Sequence, residues 1–326
     1  MDGLSLCTGY GGLDLAVEAV LPDAVTRWVS DIDSDAVAVQ AARFPDAIQL
    51  GDLKQIDWSS YAGQVDVMTA GYPCQPFSQA GQRKGVDDDR HLWPWVADAI
   101  RLVGPRLVVL ENVAGHLGVG FDAVLGDLAA MGRTVRWGVV RASDAGAPHR
   151  RERLFVVAVD AANTESADWR EAQQPGMATS TRRAAEPRER HRHTAANTDG
   201  TGPQRAEPAR RRDVPPRGVA ASTDGTAGIG RPGLPAASER QGSPSSGTAD
   251  WKQFGPAIRR WETVMGRAAP APIVPGTKQL NARMVEWMMG LPEGWVTDLI
   301  PNRRALKVLG NGVVPQQAAL AIRGLL

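Results

Sequence analysis

The sequence predicts an α/β fold on a mostly parallel, seven-stranded sheet. Two observations carry that expectation. Over residues 1 to about 160, short apolar runs alternate with helix-period patterns, the signature of βαβ units. Several of those runs also end on glycines, acids or a cysteine. That places reactive groups at the carboxyl edge of the sheet, where open α/β sheets bind ligands.

The elements follow in order. Strands are expected over 3–7, 25–30, 47–50, 65–70, 107–111, 134–141 and 153–159, each a short apolar run bounded by turn formers or charges. Helices are expected over 13–20, 34–44, 92–103 and 121–131; the second opens on Asp33 or Ser34, either of which can accept from the free N–H groups of a first turn. From about 161 to 250 the pattern stops. Between Phe155 and Phe254 there is no Phe or Tyr, and Arg, Ala, Pro, Gly, Ser and Thr dominate, so this stretch is expected to be flexible and of low complexity. Order is expected again from 251. Trp251, Phe254, Ile258, Trp261 and Val264 recur at helical spacing, 283–289 continues as a helix ending at Gly290, and Gly310-Asn311-Gly312 is read as a glycine turn feeding a closing helix over 316–325. The domains expected are 1–160, 161–250 as an insertion, 251–300 as a small region of its own, and 301–326 as a segment returning to the first.

Composition narrows the class. With 43% hydrophobic residues among 326, the core is ample, and a net charge of +1 names no partner by bulk electrostatics. Two cysteines, Cys7 and Cys74, make no disulfide framework, which fits a reducing cytoplasm. Met1-Asp2-Gly3-Leu4 does not look like a secretory leader, no stretch approaches the ~18 apolar residues of a membrane span, and no Cys/His spacing suits zinc, so neither membrane nor metal is expected.

Five groups of residues could carry chemistry. Cys74 lies in Gly71-Tyr72-Pro73-Cys74-Gln75-Pro76-Phe77-Ser78, straight after the fourth strand; flanking prolines fix the backbone and the polar neighbours argue for exposure, although most free cysteines are inert and buried. Thr8-Gly9-Tyr10-Gly11-Gly12 follows the first strand and opens a helix, where glycines admit a ligand to the backbone; Asp14 stands where a dinucleotide fingerprint would have its third glycine. Asp31 and Asp52 close the next two strands, suiting ribose hydroxyls and an exocyclic amine, or serving merely as caps. Glu111 ends the fifth strand, either as a buried proton-handling acid or as an exposed turn residue. Arg151 and Arg153 fall on one face of the last strand by alternation, suiting a phosphate or a planar base, or simply a solvated edge.

In this order the motifs resemble those of the cytosine-5 DNA methyltransferases. The resemblance rests on Thr8-Gly9-Tyr10-Gly11-Gly12, Asp31, Gly51-Asp52, the Pro73-Cys74-Gln75 loop, Glu111-Asn112-Val113, Arg150-Arg151-Glu152-Arg153 and Leu309-Gly310-Asn311-Gly312-Val313, spread over about two-thirds of the chain. It implies a Rossmann-like class I S-adenosylmethionine-dependent sheet, with the family's variable target-recognition region in the gap from about 161 to 275. It also makes the small region over 251–300 the target-recognition region, with base readout near Trp251–Arg267 and Thr277–Trp295. It implies that Cys74 attacks C6 of a flipped-out cytosine in double-stranded DNA, that Glu111 holds N3 and the exocyclic amine, and that Arg153 meets O2 and Arg151 a phosphate. Cofactor contacts would come from Thr8, Gly9, Tyr10, Gly12, Asp31, Ile32, Asp52, Gly71, Pro73, Leu92 and Asn311. Cys7 stands where the family usually has Phe, Asp31 where it has Glu, Ile32 where it often has an aromatic, and His149 where Gln is common. The implied setting is the cytoplasm of a bacterial or phage-infected cell, with the enzyme a monomer in a restriction–modification context that can include a partner endonuclease. A tRNA cytosine methyltransferase and a non-catalytic DNA-binding relative are the alternatives. A dehydrogenase is disfavoured by the missing third glycine and by the lack of a hydride-handling His or Tyr.

Overall fold

A computed structural model describes residues 1–73, 92–160 and 250–326. Cys74 and its loop, and the low-complexity stretch over 161–249, lie outside the described residues. The strands are β1 (Asp2–Leu6), β2 (Val25–Ser30), β3 (Ile48–Gln49), β4 (Val67–Ala70), β5 (Leu107–Val113), β6 (Arg133–Arg141) and β7 (Glu152–Asp160). They form one sheet in the order β3-β2-β1-β4-β5-β7-β6. The pairs from β3 through β5 are parallel, and β7 runs antiparallel to both β5 and β6.

This order decides where the site lies. Parallel β1, β2 and β4, β5 bring their carboxyl ends to one edge. The reversal of β7 brings its first residues to that same edge, so a residue at a strand's start joins residues at strand ends. The register pairs Val113 with Arg153 and Glu111 with Phe155.

The helices are α1 (Gly12–Val20), α2 (Ser34–Arg43), α3 (Trp93–Val103), α4 (Phe121–Ala130), α5 (Gly255–Met265), α6 (Ala282–Met288), α7 (Asn302–Asn311) and α8 (Pro315–Leu325). Asp33 caps α2 by accepting from the Asp35 amide. Gly104 in the left-handed region ends α3. Leu4, Leu6, Met68, Leu110, Leu154 and Val156 on one side of the sheet meet Val96, Ile100, Phe121, Val124 and Leu128 of α3 and α4. On the other side, Val67, Leu107, Val109, Phe155 and Val157 meet Leu13, Ala16 and Val17 of α1 and Ala318, Ala319 and Ile322 of α8. Each such side chain contributes roughly 1.5–3 kcal/mol by leaving water. A third cluster gathers Trp261, Trp287 and Trp295 with Tyr10 and Phe44, so residues far apart in sequence share one core.

Two expectations are corrected. Gly310 and Asn311 are not a turn but the last residues of α7; Ala305, Val308 and Leu309 give that helix its buried face, and the chain leaves it at Gly312. The helical spacing from 251 resolves into a 3₁₀ turn, Lys252–Phe254, followed by α5, which carries Pro256 in its first turn.

Candidate active site

The carboxyl edge of the sheet opens into a cavity of about 580 Å³. Thr8, Gly9, Gly12, Asp31, Ile32, Asp52, Gly71, Pro73, Leu92, Asn311, Glu111 and Arg153 all line it. Tyr10 and Arg151 do not, and Cys74 lies outside the described residues.

The glycine loop forms one wall. Gly9 has φ 57°, left-handed backbone that disfavours any side chain with a Cβ. At Gly12 the constraint is close approach: a Cβ would overlap the Val313 carbonyl oxygen. Tyr10, between them, turns inward. Its hydroxyl donates to the Val313 carbonyl at 2.6 Å and its ring is fully buried.

Asp31 and Asp52 serve two purposes at once. Asp31 accepts from the Gly9 amide at 2.8 Å and the Asp33 amide at 2.9 Å, and Asp52 accepts from the Lys54 amide at 3.0 Å. Both therefore organise turns, as the capping reading expects, and both also face the cavity. Ile32 stands on the rim with 78% of its surface exposed, an apolar face with nothing over it in the described residues.

Glu111 and Arg153 are the charged centre. The Glu111 carboxylate accepts from Arg153 Nε at 2.8 Å. Glu111 is buried, and burial pushes its carboxyl up to about 7 against the opposing pull of Arg153 and Arg151. The exposed-turn reading of Glu111 is therefore excluded. Glu111 also adjoins the chain that leads to Cys74: a Cβ on Gly71 would sit 3.6 Å from its Oε2. Asn112 ties the same two segments by donating to the Tyr72 carbonyl at 3.1 Å.

The strand-alternation expectation for Arg151 is corrected. It has φ 30° and precedes β7, so alternation does not reach it. Its guanidinium donates to the carbonyls of Gly310 and Gly312, bracing the end of α7. Cys7, the other cysteine, is disfavoured as a nucleophile, because burial, with Asp31 and Asp52 nearby, pushes its thiol up to about 12.

One cavity residue has a role that sequence reasoning did not find. Asp14 is buried, accepting from Ser5 Oγ at 2.9 Å and Thr69 Oγ1 at 2.6 Å. Burial pushes its carboxyl up to about 6. Ser5 and Thr69 are register partners on β1 and β4, and that polar pair in two apolar strands was the available signal. Among the described residues no group of three or more His, Cys, Asp or Glu could hold a metal, and no helix is long and apolar enough to cross a membrane.

Comparison with known proteins identifies the family and the fold. The model of the family described as C-5 cytosine-specific DNA methylase matches residues 1–324. The type II methyltransferase M.NlaX of Neisseria lactamica is 34% identical over 181 residues, covering 54% of this chain and 56% of its own length. M.NgoMIV of Neisseria gonorrhoeae is 33% identical over 184 residues, covering 53% and 56%. The chain thus spans about half the length of the curated relatives it matches. The S. pombe Dnmt2 methyltransferase structure superposes with TM-score 0.57 at 13% identity, over 100% of this chain and 98% of that one. A putative DNA modification methyltransferase from an E. coli prophage gives TM-score 0.56 at 19% identity, over 99% and 98%. At such identities the structural likeness shows the fold.

Proposed function

Because the chain belongs to the C-5 cytosine-specific DNA methylase family, we propose that it methylates cytosine C5 in double-stranded DNA, with S-adenosylmethionine as the methyl source. The observation that carries this reading is the buried Glu111–Arg153 pair beside the chain leading to Cys74, on the same cavity as Asp31, Asp52 and the glycine loop.

The residues present fit the cofactor. Asp31 suits the vicinal hydroxyls of a ribose and Asp52 an exocyclic amine. Ile32 offers an apolar face to a planar base, and the glycine loop admits the backbone to close contact. Thr8, Gly71, Pro73, Leu92 and Asn311 also line the cavity. When bound, S-adenosylmethionine supplies an electrophilic methyl group.

Each residue then has a task. Cys74 forms a bond from sulfur to C6 of a cytosine swung out of the duplex. Glu111, with a carboxyl titrating near neutrality, keeps a proton to share with N3 and accepts from the exocyclic amine. Arg153 holds Glu111 in place and presents its guanidinium to the base O2. C5 takes the methyl, its proton passes to water, and departure of Cys74 from C6 restores the aromatic ring. Arg151 acts behind the site, bracing the end of α7 that bears Asn311. The reading brings with it a monomer acting on duplex DNA in the cytoplasm, in a restriction–modification setting with a partner endonuclease. Target recognition belongs to the segments between 161 and 300.

Incubation with tritiated S-adenosylmethionine and mixed-sequence duplex tests the reading. Wild type should transfer label to DNA; Cys74→Ser should lose transfer while still binding DNA and cofactor. Full activity in Cys74→Ser, or label on tRNA with none on duplex, overturns it.

A further inference from the structure

The Tyr10–Gly11 peptide lies behind the cavity and joins the two glycines, Gly9 and Gly12, that form its wall. Gly11 has φ 81°, and a glycine so placed gives the peptide plane on its amino side little backbone resistance to swinging. Its orientation is then set by the buried Tyr10 ring on one side and by its own hydrogen bonds. The Gly11 amide donates to the Thr8 carbonyl at 2.9 Å, a local bond. The Tyr10 carbonyl accepts from Trp295 Nε1 at 2.9 Å, a bond spanning 285 residues.

Trp295 is itself held on every side. It is 2% exposed and packs edge-on to Phe44. The Glu286 carboxylate on α6, also buried, accepts from the amides of Gly294 at 2.9 Å, Val296 at 2.6 Å and Thr297 at 3.0 Å, and from Thr297 Oγ1 at 3.0 Å. Arg43 on α2 donates to the Gly294 and Trp295 carbonyls, and its guanidinium lies 5.3 Å from the centre of the Trp295 ring. None of Trp295, Glu286 or Arg43 lines the cavity.

We infer that Trp295 is a positioning residue for the cofactor, fixing the Tyr10–Gly11 peptide from outside the cavity with Glu286 and Arg43 as its mounts. The inference rests on the function proposed above. It differs from a general role in stability by predicting a split. Losing the indole N–H loosens the peptide that holds Gly9 and Gly12 in the cavity wall, while the buried Trp295 side chain presents nothing to DNA, so the DNA-facing surface is unchanged.

Trp295→Phe keeps an aromatic ring and removes the donor. Calorimetric titration of the full chain with S-adenosylmethionine should show the Kd raised about tenfold, the effect of losing one buried hydrogen bond. The Kd for duplex DNA and kcat at saturating cofactor should stay at wild-type values. Arg43→Met, a change at a half-buried position, should raise the cofactor Kd in the same direction by a smaller factor, and it decides the matter if Trp295→Phe does not fold. An unchanged cofactor Kd in the folded variant, or an equal loss of DNA and cofactor binding, overturns the inference while wild-type binding leaves the proposed function standing. A wild-type chain that binds no S-adenosylmethionine overturns both.

Discussion

Glu111→Gln separates the energetic cost of a buried acid from everything else in the site. The folded protein holds the Glu111 proton up to about 7, whereas an exposed carboxyl releases it at 4.5. A carboxyl that grips its proton more tightly in the folded state stabilises that state fully below 4.5 and loses the contribution as pH rises through 7. Integrated between about pH 5 and about pH 8, the loss comes to about 2.5 kcal/mol. Glutamine has the shape of the protonated acid and does not titrate. Arg153 loses its partner in the variant, but it stays charged across this range, so the penalty is constant and leaves the slope alone. Asp14 and His149 titrate alike in both chains and cancel. Urea unfolding at the two pH values, on both proteins, gives a difference of differences. Wild type should lose about 2.5 kcal/mol more than Glu111→Gln on going from the lower to the higher pH. Parallel curves would refute the burial argument and with it the near-neutral carboxyl assigned to the site.

Other perturbations distinguish wall from scaffold. Gly12→Ala forces a methyl into the Val313 carbonyl and should cost about 1–3 kcal/mol, read as a lowered Tm; an unchanged Tm contradicts the packing. Gly9→Ala points its methyl at open space, so it should cost only about 1 kcal/mol of backbone strain while weakening S-adenosylmethionine in calorimetry; wild-type affinity would remove Gly9 from the cofactor wall. Tyr10→Phe deletes the 2.6 Å bond to Val313 and leaves a buried carbonyl unpaired, a loss of about 1–3 kcal/mol in chemical denaturation; equal stability would mean that water replaces the hydroxyl.

The strands were legible because each is a short apolar run, and the edge that carries the site was legible because Asp31, Asp52 and Glu111 break the apolar pattern there, although β3 stops at Gln49 and β5 runs on to Val113. What pairs with what was not. Arg153 reaches Glu111 only because β7 runs backwards beside β5, and no property of residues 152–160 announces that reversal. Tyr10 is a cofactor contact only by the family resemblance; its ring lies in the apolar space beneath Gly312, a packing that its place in a glycine loop does not reveal. Arg151 looked like a strand residue until its positive φ turned it toward Gly310 and Gly312. Helix α7 was hidden by its own ending, since Gly310-Asn311-Gly312 has the composition of a turn whether or not a helix runs into it. The roles of Asp14 and Glu286 were hard to read because their partners come from other strands or from the next loop; for Asp14 only the polar pair Ser5 and Thr69 hinted at it.

The clasp on Tyr10 also fixes a timetable. Its carbonyl waits for Trp295, 285 residues later, and its hydroxyl for Val313, 303 residues later. At ribosomal rates of roughly 5–20 residues per second, the glycine loop exists for about 15–60 s before either partner has been synthesised. During that interval strands β1 to β5 can already pair, yet the loop they display has no fixed middle. A nascent chain can therefore pair its early strands before either partner of Tyr10 exists, and one that stops short of Trp295 lacks both of the long-range bonds that hold Tyr10.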